Sequence, residues 1–561
     1  MSSLAATPVD VIDQHLAVLA AHKASWLAVT VEQRIALLER CIVGIDAVKD
    51  RWVRALCDVK KIPAGDNLEG EEWVAGPVAV VRNLRLFVEA LRANGQPAPV
   101  STTTRPDGRT VCRIFPTGFY DKMMLGGVTC DVWIEPGKPA SQGAIYRGET
   151  PHQGRVCLVL GAGNVSSIGP MDVLYKLFVE NEVVLFKANP VNEAAGPLLE
   201  EAFAALVEAG VLRVVYGGAD VGAHATESPL VDSLHVTGAQ ATYDRIVWGA
   251  PEEQAQRKAE GTPKNSRPFT AELGCVTPVL VVPGPWSEAD LAFQARHVAA
   301  MVTQNASYNC NAAKVLVMAS GWAGRTVFLE KLHEALAKSR ARSAYYPGSQ
   351  ERYDAFLKAY PQAKPLGPKA TEAGEATVPW TALPDVGSGE GEYALDHEAF
   401  CGVLAEVSLD CPDDAAAFLA QAVPFANDRC AGTLSCSVIV HPATERAHGE
   451  ALERAITDLR YGGVAINCWP AMLYGLVSAT WGAYPGHTPN DIQSGIGVVH
   501  NTFLFDHPEK SVVRAPFRMN PVPPYFSDHR TLRELGAKLF AFEREPGFGK
   551  LLPLAWAGLR A

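Results

Sequence analysis

The chain has 561 residues, 48% of them apolar and 20% charged, with a net charge of −11. That length implies about three domains at roughly 100–200 residues each, and the acidic balance argues against a nucleic-acid backbone or an anionic membrane as the main partner. No uncharged apolar run approaches the ~18 residues of a membrane span, and the opening stretch, broken by Asp10 and Asp13, does not read as a signal peptide, so the expected location is the cytoplasm.

In chain order, the first ~110 residues read as helices, with Ile35, Leu38, Ile42, Ile45 and Val48 at helical spacing. VTCDVWIEPGKPASQGAIYRG reads as a β-hairpin around a Pro-Gly turn. From Arg155 strands alternate with helices: RVCLVL, EVVLFK, LRVVYG and VDSLHVTG are short apolar runs suited to buried parallel strands. The rhythm restarts at PVLVV, after which Ser287 and Asp290 form a capping pattern before a helix leading to Cys310. The segment 344–392 reads as loop, KSVVRAPFR as a solvated surface strand, and the part beyond Thr480 as Pro- and Gly-rich with few periodic segments. Such alternation predicts doubly wound α/β sheets, which bind ligands beyond the carboxyl ends of their strands.

Several residues could carry chemistry. Cys310, in NASYNCNAAK, is one of twelve scattered cysteines, none with zinc spacing. Taken alone it is either a nucleophile or core filler. Asn164, in the strand-to-helix loop GAGNVSSIGP, could donate to an oxyanion or simply shape a turn. Lys187, ending EVVLFK, could meet a ribose or phosphate, or be a solvated strand end. Glu272, in FTAELGCVTP, could be desolvated into a general base, or be a turn residue. Glu398 and Phe400, in DHEAFCG, could be no more than an exposed acid and a core ring.

The order and spacing of these pieces over about 150–515 resemble the aldehyde dehydrogenase superfamily. GNV is similar to the family's PWNFP loop, VVLFKANP to VVLKPSE, HVTGAQ to its FTGS segment and TAELGCVTP to LELGGKSP. QNASYNCNAAKVLV is similar to NxGQxCxAxxRVLV, HEAFCGVL to EEIFGPVL, FANDRCAGTLS to ANDTEYGLAA, and GGVAINCWP to GTVWVNC. The resemblance implies two doubly wound parallel-sheet domains, a Rossmann-like cofactor domain and a catalytic domain, plus a small β oligomerisation arm. It places the NAD(P)-binding domain at 1–127 and 152–271, the catalytic domain at 272–467, and the arm with a C-terminal extension at 128–151 and 468–561. It implies that Cys310 attacks the aldehyde, that Asn164 helps hold the oxyanion, and that Glu272 activates water against the thioester. Lys187, Gly238, Ala239, Glu398 and Phe400 would then contact the cofactor, NAD or NADP with NAD favoured, in a homodimer or homotetramer without a nucleic-acid partner.

The sequence departs from the family at several points. Pro190 stands where a ribose-gripping Glu is usual, Ala239 replaces a serine, Tyr243 a glycine, and Cys275 the second glycine of ELGG. Cys275 reads as packing, and Tyr308 as either funnel or core. Two other outcomes stay open: transfer of the acyl group to coenzyme A, or reduction of an acyl-CoA to the aldehyde, which Glu272 argues against, and a relative without catalysis. Trp469, Tyr474, Trp481 and Tyr484 suggest an aromatic or long apolar aldehyde.

Overall fold

A computed structural model describes residues 4–149 and 153–561. The chain opens with two long helices, Val9–Leu27 and Val31–Val59, the second started by a capping box between Thr30 and Gln33. Leu38, Cys41, Ile45, Val48 and Trp52 recur every three or four residues and are fully buried. That stripe packs against the helix Ala79–Arg92. At Gly44 the helix touches the Ala202 backbone: a Cβ there would lie 2.1 Å from the carbonyl oxygen.

Strands β1 (Ser101–Thr104), β2 (Thr110–Phe115) and β3 (Thr129–Ile134) come next. Then β4 (Val156–Leu160), β5 (Val183–Lys187), β6 (Leu212–Val215), β7 (Ser233–Gly238) and β8 (Phe269–Leu273) alternate with helices. The series continues with β9 (Pro278–Val281), β10 (Val315–Ala319), β11 (Lys364–Pro365), β12 (Thr381–Val386) and β13 (Val403–Leu409). It ends with β14 (Ser435–Ile439), β15 (Gly463–Ile466), the two-residue strands β16 (Trp481–Gly482), β17 (Gly495–Ile496) and β18 (Val498–Val499), and β19 (Pro508–Arg514).

Two sheets dominate. One runs β17-β8-β7-β4-β5-β6, parallel except at β17. Its order reverses between β4 and β7, so the loops after these strands diverge and leave a crevice at their carboxyl ends. The other runs β1-β2-β3-β19-β15-β14-β9-β10-β13-β12-β11, parallel from β19 to β12. The strands of both central regions are almost wholly buried, as expected for short apolar runs covered on both faces. This is the doubly wound α/β architecture expected from the alternation.

Several expectations change. Only the first half of the expected hairpin is a strand. β3 pairs with β2 and β19, while the second half gives a bridge from Gln142 to Phe505 and a turn of helix, Ala144–Arg147. Residues 150 and 151 of the expected arm lie outside the described residues. KSVVRAPFR is no solvated strand: β19 is interior to the larger sheet, and Lys510 is 1% exposed. Its Nζ donates to the carbonyls of Ile456, Thr457 and Leu459, three acceptors at the end of the helix Gly449–Asp458. The expected loop 344–392 holds the helix Ser349–Ala359 and β12. The chain end folds into two helices, Leu532–Arg544 and Phe548–Leu559.

Candidate active site

Cys310 follows a run of three left-handed residues that are not glycine, Asn305, Ala306 and Ser307, with φ of 51°, 54° and 70°. Such backbone costs on the order of 1–3 kcal/mol per residue and persists only where its surroundings hold it. Here they do. Asn305 Nδ2 donates to the carbonyls of Asn164 and Tyr308, each at 3.1 Å, and to Asn309 Oδ1. Asn305 Oδ1 accepts from Lys60 Nζ at 2.8 Å and from the Tyr345 hydroxyl at 3.1 Å. Lys60 is itself buried against Glu72 at 2.6 Å. At the other end of the run, Lys314 Nζ donates to the Ser307 carbonyl and hydroxyl and to the Cys401 carbonyl. The loop that presents the thiol is thus clamped from both sides.

Eleven of the twelve cysteines are buried, and Cys310 alone is partly exposed. Its thiol lies beside the Glu272 carboxyl, and burial together with the Glu272 and Glu398 carboxyls holds its pKa well above the usual thiol value. The nearby cation, Lys314, is spent on carbonyl and hydroxyl groups, and desolvation lowers its own pKa. A thiol without a cation beside it needs a base to become a thiolate.

Glu272 provides one. It lies inside β8 rather than before it, opposite Thr237 on β7 and Gly495 on β17. It is 4% exposed, and burial pushes its pKa up to about 7, against hydrogen bonds from Cys310 and Trp481 and with a smaller push from Asp172. Trp481 Nε1 donates to Oε1 at 3.1 Å. A carboxyl titrating near neutrality is suited to accept a proton at that pH. Asn164, in the loop after β4, is 6% exposed and donates its amide to the Tyr308 carbonyl at 2.9 Å. The structure therefore gathers Asn164, Glu272, Cys310 and Glu398 about one point.

The remaining candidates lie along the crevice. Lys187 ends β5 and is buried, its pKa lowered by desolvation, while the carboxylates of Glu193 and Asp220 oppose that shift. Gly238 ends β7, and Ala239 precedes the helix Gln240–Trp248; both are exposed, and the space beside Gly238 is open. Glu398 Oε1 is buried without a hydrogen-bond partner among the described residues, and burial raises its pKa while Lys314 opposes. A Cβ on Gly274 would lie 1.9 Å from Glu398 Oε2, so a side chain there would displace the Glu398 carboxyl. An unpaired buried acceptor beside the thiol is what ribose hydroxyls would satisfy, and these residues fit a dinucleotide. Phe400, with φ of 41°, packs on Tyr308 and Tyr346.

Sequence reasoning missed the roles of Lys60, Asn305, Tyr345 and Lys314, each of which has at least one partner distant in the chain. Trp481 drew notice as a specificity aromatic, yet it holds Glu272. Tyr308 is 1% exposed, a core ring rather than an open funnel wall. Cys275 is 2% exposed and its sulfur accepts from the Thr277 amide at 3.3 Å, which is packing.

Known proteins resemble this chain in part of its sequence and in its fold. Residues 156–350, which include Asn164, Lys187, Glu272 and Cys310, match the aldehyde dehydrogenase family model. No curated protein sequence matches the chain. Among solved structures, an NADP-dependent glyceraldehyde-3-phosphate dehydrogenase from Bacillus halodurans complexed with NADP is 17% identical, with 91% of this chain and 92% of that chain covered and a TM-score of 0.60. Aldehyde dehydrogenase C from Pseudomonas syringae, with NAD+ and octanal, is 16% identical over 92% and 90% at 0.59. A salicylaldehyde dehydrogenase from Pseudomonas putida G7 complexed with salicylaldehyde is 16% identical over 92% of each chain at 0.62.

Proposed function

We propose, on the premise that this chain belongs to the aldehyde dehydrogenase superfamily, that it oxidises an aldehyde to the carboxylic acid through a thioester on Cys310. The observation that carries this reading is that the one partly exposed thiol lies beside a carboxyl whose pKa burial raises to about 7.

Glu272 takes the thiol proton as Cys310 sulfur bonds the aldehyde carbon. The oxygen that becomes negative is held by the Asn164 amide and the Cys310 backbone N–H. When bound, the dinucleotide accepts the hydride that turns the thiohemiacetal into a thioester. Lys187, Gly238, Ala239, Glu398 and Phe400 are the residues that would hold it. Once the thiol proton has left for solvent, Glu272 accepts a proton from water, whose oxygen bonds the acyl carbon and releases the thiolate. NAD is the favoured cofactor. Pro190 offers no ribose carboxylate, but Glu193 and Asp220 flank Lys187 and would repel a 2′-phosphate.

An aromatic or long apolar aldehyde is the proposed substrate, supported by Tyr474 and Trp481 beside Glu272. Trp469 and Tyr484 do not bear on it, being tied to the Asn311 carbonyl and to Glu509. A homodimer or homotetramer is proposed on the exposed β1, which among the described residues pairs only with β2 and leaves one sheet edge open. No helix among the described residues is long and apolar enough to cross a membrane.

The test is NADH or NADPH formation with a panel including octanal and salicylaldehyde, with and without coenzyme A, beside Cys310→Ser. Turnover without coenzyme A that vanishes in the variant is expected. Turnover only with coenzyme A would instead make this an acylating enzyme.

A further inference from the structure

A surface helix ordinarily turns one apolar stripe to the core and a charged face to water. The last helix, Phe548–Leu559, departs from that rule. Leu551, Leu554 and Ala557 form its inward stripe, packed with Leu532, Leu535 and Phe542 of the helix before it. Its outward face carries Phe548, Leu552, Pro553, Ala555, Trp556 and Leu559, all exposed. The cations at its ends are already paired within the chain, Lys550 with Glu545 at 2.7 Å and Arg560 with Glu534 at 2.5 Å.

The short helix Phe119–Met124 rests on the same cluster. The Tyr120 ring meets Phe542 at 5.5 Å, while Phe119 and Met123 turn to solvent. Among the described residues twelve large apolar side chains are exposed, and these two helices hold six of them, each 57–69% exposed. Apolar side chains scattered singly over a surface need no partner, but six on two helices that share one cluster do. Taking roughly 150–250 Å² for a large side chain when fully open, the six present on the order of 700 Å². Each partner of a stable protein complex buries about 800 Å².

We propose that this face docks a second copy of the chain, with the helix Phe548–Leu559 packed antiparallel on its counterpart about a two-fold axis. The charge balance favours a like copy. A helix that lies on an anionic membrane offers unpaired Lys and Arg to the lipid, whereas Lys550 and Arg560 are neutralised by their own chain and the net charge is −11. Two such faces meet without like charges opposed. The face is also self-complementary, as a two-fold contact requires. An axis at the level of residue 554 brings Leu552 of one copy against Trp556 of the other, Pro553 against Ala555, and Gly549 against Leu559. In every pair a larger side chain meets a smaller one. This contact is separate from the β1 edge and does not depend on the thioester reading.

The test is the mass of the full chain by sedimentation velocity over a dilution series, beside that of three variants. Leu552→Glu with Trp556→Glu sets like charges opposite each other across the axis. Its association constant should fall roughly a hundredfold or more, and the mass at working concentration should halve. Leu552→Glu with Trp556→Lys sets an acid opposite a base, so association should return in part and weaken as salt is added. Both pairs lie on an outward face, so their far-UV circular dichroism should match the parent's. Thr102→Lys with Thr104→Lys charges the β1 edge and reads the other contact. A parent that is monomeric, or a first variant with the parent's mass, would overturn the proposal. So would equal loss of association in the second variant, which would exclude the two-fold pairing. If only the β1 variant changes the mass, the sheet edge is the interface and the helix face is not. A monomeric parent that cosediments with phosphatidylcholine–phosphatidylglycerol vesicles would mean that the face docks on lipid instead.

Discussion

The two groups that meet at the thiol arrive by opposite means. Glu272 is delivered by regular β8, where register with β7 and β17 fixes its position and no residue of the strand is strained. Cys310 is delivered by three consecutive left-handed residues that only side-chain clamps can hold, from Lys60 and Tyr345 on one side and Lys314 on the other. A strand orients a base cheaply because its hydrogen bonds are already made. A nucleophile that must project into a cleft and still offer its backbone N–H needs an irregular turn, and the cost of that turn is met by buried polar contacts.

The comparison predicts different failures on the two sides. On the strand side, Glu272→Gln should fold normally, since Trp481 can still donate to the side-chain oxygen. It should then lose turnover by about 10²–10⁴-fold. Rapid mixing should show the acylation burst slowed along with hydrolysis in that variant, because the thiol loses the base that takes its proton. Loss of the fold instead would mean that Glu272 serves the sheet more than the chemistry.

On the loop side the largest effect is on stability. Lys60 and Glu72 are each 2% exposed at the side chain. Lys60→Met strands the Glu72 carboxylate and removes a donor from Asn305, so about 3–5 kcal/mol should be lost in denaturant unfolding. Lys60→Met with Glu72→Met should regain part of that stability, because no buried charge is left unpaired. It should not regain activity, because Asn305 still lacks its donor. Full recovery of both would show that the clamp matters only as an ion pair.

How much of this was legible in the sequence follows the same divide. The parallel strands were readable because each is a short apolar run bounded by turn residues. Cys310, Glu272 and Asn164 were readable through the order of the segments around them. The clamp was not, since Lys60 comes from a distant helical segment without a local signal, and the motif around Asn305 does not tell what that side chain holds. β19 was misread because Lys510 and Arg514 look solvated, whereas the Lys510 ammonium ends in three helix-terminal carbonyls. The last helix was hidden by being apolar all round: Leu551 and Leu554 are buried while Phe548, Leu552 and Trp556 are exposed, which blurs the 3.6-residue period. The second half of the expected hairpin failed because β3 takes a strand from the chain's far end as its neighbour, a pairing no local window contains.

The smallest expected effect falls on the strand side and is one of pH alone. Trp481 donates to Glu272 and so favours its charged form, holding the pKa down against the upward push of burial. Trp481→Phe keeps a ring in place and removes the donor, so the Glu272 pKa should rise further above about 7. Deacylation needs the carboxylate, so its rate rises with pH through that pKa. In the variant the rising limb should therefore move to higher pH, by less than about one unit for a single neutral donor, while the plateau above it stays within roughly twofold. A limb that moves to lower pH would mean that Trp481 stabilises the protonated acid. A lowered plateau with an unmoved limb would mean that the indole positions substrate rather than the base.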